Sequence, residues 1–142
     1  MSGGLLFFLI AHVFYIVYFF EKPIHPVAYL PFAAFVAILL YILLPEIPGD
    51  LKLPVTAYAL VIGTMVGAAW SKCLNGNKWD SNKLMGAMGA LIFVVSDTII
   101  ALNKFYFPFN SAKTWVMITY YLGQTLIAAS THLTVSNKRK LK

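Results

Sequence analysis

Five apolar runs, each near the length of a bilayer-crossing helix, take up most of this chain. They cover residues 4–20, 28–44, 54–71, 84–103 and 113–131. A helix advances 1.5 Å per residue, so about 20 apolar residues cross a hydrocarbon core. Inside lipid no water is present to bond the backbone, which leaves helices and closed barrels as the structures that can span it. Barrel strands are shorter and alternate apolar with polar residues, a pattern these runs lack. The expected fold class is therefore all-α: a polytopic transmembrane helix bundle of about five spans. The first two runs are short, which fits helices tilted against neighbours or lying partly in the interface.

The connectors are short and carry backbone breakers. Lys22-Pro23-Ile24-His25-Pro26 separates the first two runs and Pro45-Glu46-Ile47-Pro48-Gly49-Asp50 the next two. Asn75-Gly76-Asn77 falls in the third connector and Phe107-Pro108-Phe109-Asn110 in the fourth. Proline lacks a backbone donor, and Asn-Gly adopts turn conformations easily. Of the 142 residues, 60% are hydrophobic and 11% charged, against roughly a quarter charged in soluble domains. One bundle over residues 1–132 and a basic tail over 133–142 account for the whole length, with no separate soluble domain. No internal repeat or low-complexity stretch is evident.

The net charge of +6 does not indicate a nucleic-acid partner, because the basic residues lie between apolar runs and at the C-terminus. There they read as topology signals and lipid-headgroup contacts. With five spans, one side holds Lys22, Lys72, Lys78, Lys83, Lys138, Arg139, Lys140 and Lys142, eight in all; the other holds Lys52, Lys104 and Lys113. The excess of cations on the first side predicts a cytosolic C-terminus. The ending Arg139-Lys140-Leu141-Lys142 resembles a dilysine-type retrieval signal for the endoplasmic reticulum, and juxtamembrane lipid contact is the competing use of the same cations. Met1-Ser2-Gly3-Gly4 has no basic segment of a secretory signal. The first span begins almost at Met1, as in a chain that has lost its front. The lone Cys73 reads as an inert thiol near a helix end.

One acid lies deep in these runs. Asp97 is the single charge in the segment from Leu91 to Leu102, and an ionisable group at bilayer depth costs about 2.5–3.5 kcal/mol on insertion scales. On a helical wheel Gly86, Ala90, Phe93, Asp97, Ala101 and Lys104 form one stripe. Gly86 and Ala90 have the spacing that lets another helix approach closely, so the stripe is expected to face the bundle interior. Two uses compete for Asp97: a hydrogen-bonding node between helices, or a proton-handling carboxyl. Apolar surroundings disfavour a charged carboxylate, which suits a general acid near neutral pH.

Other polar residues sit at span depth. His12 and Tyr15 are i and i+3 and share a face; either helix–helix bonding or site chemistry accounts for them. Tyr120 and Gln124 are i and i+4, placed to line a cavity or join helices. Asn103 and Lys104 lie where the fourth span meets the interface, where Lys104 either holds a phosphate or snorkels to water. The chain has no Gly-x-Ser-x-Gly elbow, no His-Glu-x-x-His and no phosphate-cradling glycine loop, which argues against a serine lipase or a zinc protease.

The run Gly89-Ala90-Leu91-Ile92-Phe93-Val94-Val95-Ser96-Asp97-Thr98-Ile99-Ile100-Ala101-Leu102-Asn103-Lys104-Phe105 resembles the second signature of the YhhN family, the lysoplasmalogenase-like membrane proteins that include the animal transmembrane protein 86 group. The stretch Phe8–Tyr15 is similar to that family's His-x-x-Tyr helix, and Thr119–Gln124 to its last-span Tyr-Tyr-x-x-Gln. The resemblance runs along essentially the whole chain. It implies cleavage of the vinyl ether of a lysoplasmalogen to a fatty aldehyde and glycerophospho-ethanolamine or -choline, without a metal or organic cofactor. It makes Asp97 one of two catalytic carboxyls and places His12, Tyr15, Ser96, Asn103, Lys104, Tyr120 and Gln124 around the substrate. The family fold has about eight spans, with a Gly-Asp helix ahead of His-x-x-Tyr. This chain resembles the last five, and Gly49-Asp50, in a Pro-rich loop, does not match that signature.

Three functions follow from these readings. The first is a lysophospholipid hydrolase. The second is a catalytically inactive, truncated form that binds lipid or associates with itself or other membrane helices. The third is a proton-coupled transporter, which an inverted repeat or broken helices would support and which this sequence lacks.

Overall fold

The computed structural model describes residues 2–75 and 80–140, and all regular structure among them is helical. Five helices follow one another: α1 Ser2–Phe19, α2 Pro26–Leu43, α3 Gly49–Leu74, α4 Ser81–Phe105 and α5 Ala112–Lys140. They match the five apolar runs in order. α2, α3 and α4 are each long and apolar enough to cross a membrane, and α1 contributes a shorter apolar stretch, Leu6–Phe19. Large apolar side chains such as Phe7, Phe14, Val27 and Tyr41 stand exposed on α1 and α2. Lipid is the solvent in which such surfaces are stable, and the chain is an integral membrane protein.

Helix limits differ from the expected ones where a breaker is tolerated. α3 starts at Gly49, so Gly49 and Asp50 form its first turn instead of closing the preceding loop. Pro54 lies inside α3 and cannot donate to the Asp50 carbonyl; Asp50 is exposed at the helix start, where water can satisfy that group. α5 runs on to Lys140, well past the expected span end at 131. Residues 132–140 contain no Gly or Pro, and the cations of the last turn suit the negative end of the helix dipole. The Gly76-Asn77 turn, Lys78, and Leu141 and Lys142 of the retrieval-like ending lie outside the described residues.

The chain divides into two compact units, Met1–Lys72 and Cys73–Lys142. In the first unit α3 packs against α2 on one side and α1 on the other. A Cβ at Gly63 would lie 2.9 Å from Val36 Cγ2, and one at Gly67 would run into the Tyr29 ring. Tyr58 and Lys72, on the opposite side of α3 at 100° per residue, meet α1: Tyr58 packs on His12, and the Lys72 ammonium donates to the Tyr18 carbonyl at 3.1 Å. That carbonyl belongs to the last turn of α1, which has no helical partner of its own. Between these contacts Met65, Val66, Ala68 and Ala69 are fully buried. The connector after α1 has a cis Lys22–Pro23 bond, and its His25 N–H donates to the buried Ser71 hydroxyl at 2.9 Å.

The second unit is an antiparallel pair. Asp80 caps α4, its carboxylate accepting from the Asn82 N–H at 2.9 Å. Lys83 donates to the Asn75 carbonyl at 2.8 Å, both within this unit.

Candidate functional site

The seam between α4 and α5 is built on two glycines. A Cβ on Gly123 would stand 3.1 Å from the Gly89 carbonyl oxygen and 3.2 Å from the Phe93 nitrogen. One on Gly89 would stand 2.9 Å from the Ile127 nitrogen and 2.9 Å from Leu126 Cβ. Only the absence of side chains lets the two backbones come this close. Ala87, Ala90 and Phe93 are fully buried along α4, and the Phe93 ring lies 5.5 Å from that of Tyr120. A turn further on, the buried Ser96 hydroxyl donates to the Val116 carbonyl of α5 at 3.4 Å, a long bond.

These contacts set the position of Asp97. Relative to the line where α4 meets α5, Phe93 is about 40° and Asp97 about 80° to one side. On α5, Tyr120 and Gln124 are displaced to that same side, since the helices are antiparallel and their angular senses mirror each other. The flank of the seam thus carries Asp97, then Phe93 with Tyr120, then Gln124, over about 11 Å of axial rise. Asp97, Tyr120 and Gln124 are each half-buried. The stripe read from the sequence is graded: Gly86, Ala90 and Phe93 are buried, Asp97 and Ala101 half-buried, and Lys104 exposed. Asp97 sits where the stripe leaves the core of this unit.

Two other sequence-predicted residues take structural work. The Asn103 side-chain oxygen accepts from the Phe109 N–H at 3.0 Å and so fixes the α4–α5 connector. The exposed Lys104 has its ammonium 5.3 Å from the Phe105 ring.

His12 and Tyr15 belong to the first unit. His12 is 1% exposed, and its Nδ1 lies 2.6 Å from the Phe8 carbonyl. A carbonyl only accepts, so Nδ1 is the donor in this bond. Tyr15 and Tyr58 stand edge-on to the imidazole at 5.9 and 5.6 Å. The shared face of His12 and Tyr15 is as the spacing predicts. Tyr58 escaped the sequence reading; the stripe Tyr58, Met65, Lys72 at seven-residue spacing was the available signal. Also in this unit, an apolar cleft of about 260 Å³ opens between α2 and α3 beside Tyr29, Ala33, Val36 and Gly63. It includes none of the predicted site residues.

Chemically, the α4–α5 flank offers a carboxyl, a phenol and a carboxamide beside an apolar aromatic wall. Among the described residues, no three His, Cys, Asp or Glu side chains gather as metal ligands.

Comparison with known proteins adds the lineage. The family model described as the YhhN family matches residues 1–131. Lysoplasmalogenase TMEM86A of Homo sapiens is 37% identical over 128 residues, which are 89% of this chain and 53% of that protein. Lysoplasmalogenase TMEM86B of Sus scrofa is 36% identical over 140 residues, 98% of this chain and 55% of that protein. Lysoplasmalogenase TMEM86A of Bos taurus is 34% identical over 128 residues, 89% and 53% of the two chains. The chain spans about half the length of these curated relatives. No solved structure matches it. With the family match reaching from α1 into α5 and through the Asp97 segment, this chain belongs to the YhhN family.

Proposed function

We propose that this chain acts in hydrolysis of the vinyl ether bond of lysoplasmalogens, with Asp97 as a proton-handling carboxyl. The observation that carries the reading is the half-buried placement of Asp97 on the α4–α5 flank, on the same side of the seam as Tyr120 and, farther along, Gln124. The relatives' names, lysoplasmalogenase, supply the substrate class.

The chemistry is acid-initiated. A carboxylic acid protonates the outer alkene carbon of the vinyl ether, and the resulting oxocarbenium ion is captured by water. The water loses a proton to a carboxylate, giving a hemiacetal. The hemiacetal collapses to the fatty aldehyde and the glycerophospho-ethanolamine or -choline alcohol, so one water is consumed and no redox change occurs. Asp97 can fill both roles in turn, because it is left as a carboxylate once it has protonated the alkene and can then accept the proton from water; a second carboxyl in unequal surroundings would divide the roles. Tyr120, half-buried and backed by the buried Phe93 ring, offers the aromatic surface for the alkenyl chain, and Gln124 offers an amide to the polar end.

Location follows from charge. The eight-to-three distribution of Lys and Arg supports a cytosolic C-terminus, and Arg139-Lys140-Leu141-Lys142 supports residence in the endoplasmic reticulum.

The test is aldehyde release from lysoplasmalogen by the purified chain and its Asp97→Asn variant. The amide keeps the shape and hydrogen bonding but cannot donate that proton, so turnover should fall by about 10²–10⁴-fold. Equal turnover in the two proteins would remove Asp97 from the chemistry. A wild-type chain that binds lysoplasmalogen and releases no aldehyde would replace the hydrolase with a lipid-binding protein.

A further inference from the structure

We propose that the C-terminal extension of α5 is a docking surface for anionic phospholipid headgroups. α5 has 29 residues, about 43 Å of helix. It is not among the helices apolar enough to cross a membrane by themselves, but it packs along α4, which is, in a hydrocarbon core about 30 Å thick. Its antiparallel register with α4 fixes where the excess lies. Gly89 faces Ile127, and Phe93 faces Tyr120. Extended along both helices, this register puts Leu84, where the apolar run of α4 begins, level with about Ser130. Lys138, Arg139 and Lys140 then stand roughly 12 to 15 Å beyond the end of the core. The headgroup layer occupies about 5–7 Å of that height. The three cations are therefore within about a Debye length of the phosphates, on long side chains that can reach back toward them.

Three further features favour lipid over a soluble acidic partner. Leu133 and Val135 are 39% and 51% exposed, and they lie at the height of the headgroups, where apolar side chains are held by the interface. The cations are all exposed and of one sign, since no Asp or Glu follows Asp97 in the sequence. Asp80, the acid at this end of the unit, is level with about residue 134, and its carboxylate already caps α4. A helix continuous to Lys140 holds the charges at a set height above the bilayer. Leu141 and Lys142 are not needed for this surface, whereas the retrieval-signal use of the ending requires them.

The experiment is independent of the hydrolase reading. The full chain is reconstituted in phosphatidylcholine vesicles with and without about one phosphatidylserine in five lipids, and spin-labelled lipids report which headgroup occupies the protein boundary. Each cation near the surface contributes about a fivefold bias, so the wild-type chain should prefer phosphatidylserine several-fold at low salt. That preference should fall toward unity at about 0.5 M salt. K138Q/R139Q/K140Q should lose most of it, and K138R/K140R should keep it. An unchanged preference in the triple variant, or one insensitive to salt, overturns the proposal. A headgroup composition equal to bulk in the wild-type chain does so as well, leaving the cations to a water-soluble partner. So does a preference erased by inorganic phosphate but not by chloride of equal ionic strength, which would make this a free-phosphate site.

Discussion

Gly89→Ala should destabilise the second unit by an amount that can be worked from the seam. The new methyl would lie 2.9 Å from the Ile127 nitrogen, Ile127 Cγ1 and Leu126 Cβ, about half an ångström inside ordinary contact. The nearest polar neighbour is backbone, so no rotamer change relieves it and α5 must move. Overpacking of this kind costs about 1–3 kcal/mol. The same change gains up to about 1 kcal/mol of helix propensity, so with that full gain the net loss should be about 0–2 kcal/mol, and Gly89→Ala should be about 1–3 kcal/mol less stable than an unobstructed Gly→Ala change in a helix. Gly123→Ala meets backbone at 3.1 and 3.2 Å, a milder clash, and should come out near zero to 1 kcal/mol. Gly49→Ala, with nothing within 4 Å, should be neutral or slightly stabilising. Gly67→Ala is the informative contrast, because its obstacle is the Tyr29 ring and a side chain can be removed. Tyr29→Ala should therefore relieve Gly67→Ala, while Ile127→Ala should leave Gly89→Ala largely unrelieved. The assay is reversible unfolding in mild detergent, followed by tryptophan fluorescence, with double-mutant cycles for the two pairs. If Gly89→Ala is as stable as Gly49→Ala, the close approach of α4 and α5 is wrong. If both pairs relieve equally, so is the assignment of the Gly89 clash to backbone.

Two further outcomes follow from the caps and connectors. Asp80→Ala should lower stability by about 1 kcal/mol through loss of the α4 cap, with Asp80→Asn retaining most of it; equal unfolding of the two variants would show that the cap contributes nothing. Asn103→Ala should raise amide exchange at Phe109 at least several-fold, since its N–H loses its acceptor, and exchange at the wild-type rate would mean that the connector is held by other contacts.

Much of the helical layout was legible in the sequence because it depends on local chemistry. Apolar length and short connectors with Pro and Asn are one-dimensional properties, and they placed five helices in order. The signature around Asp97 and the flanking His-x-x-Tyr and Tyr-Tyr-x-x-Gln segments identified the family for the same reason. The limits that went astray are those where a residue's usual preference yielded to its position. Gly49-Asp50 reads as loop but starts α3, since the cost of Pro54 is small beside a water-exposed first turn. The fifth apolar run ends near residue 131, but α5 continues to Lys140 through the described part of the 133–142 tail, since polarity alone does not stop a helix that has no breaker.

The sequence by itself determined that this is a membrane bundle of the YhhN family, with one carboxyl set deep in its fourth helix. It also determined the faces on which His12, Tyr15, Tyr120 and Gln124 stand, because helical period is local. Only the tertiary structure decided which faces meet. It chose Gly89 with Gly123 as the point of closest approach, where the spacing had pointed to Gly86 and Ala90. It brought Tyr58 onto His12, assigned Asn103 to a connector, and set Asp97 beside the seam instead of within it. Such choices depend on the shapes of two helix surfaces at once, with contacts that differ by tenths of an ångström, and no single stretch of chain carries that information.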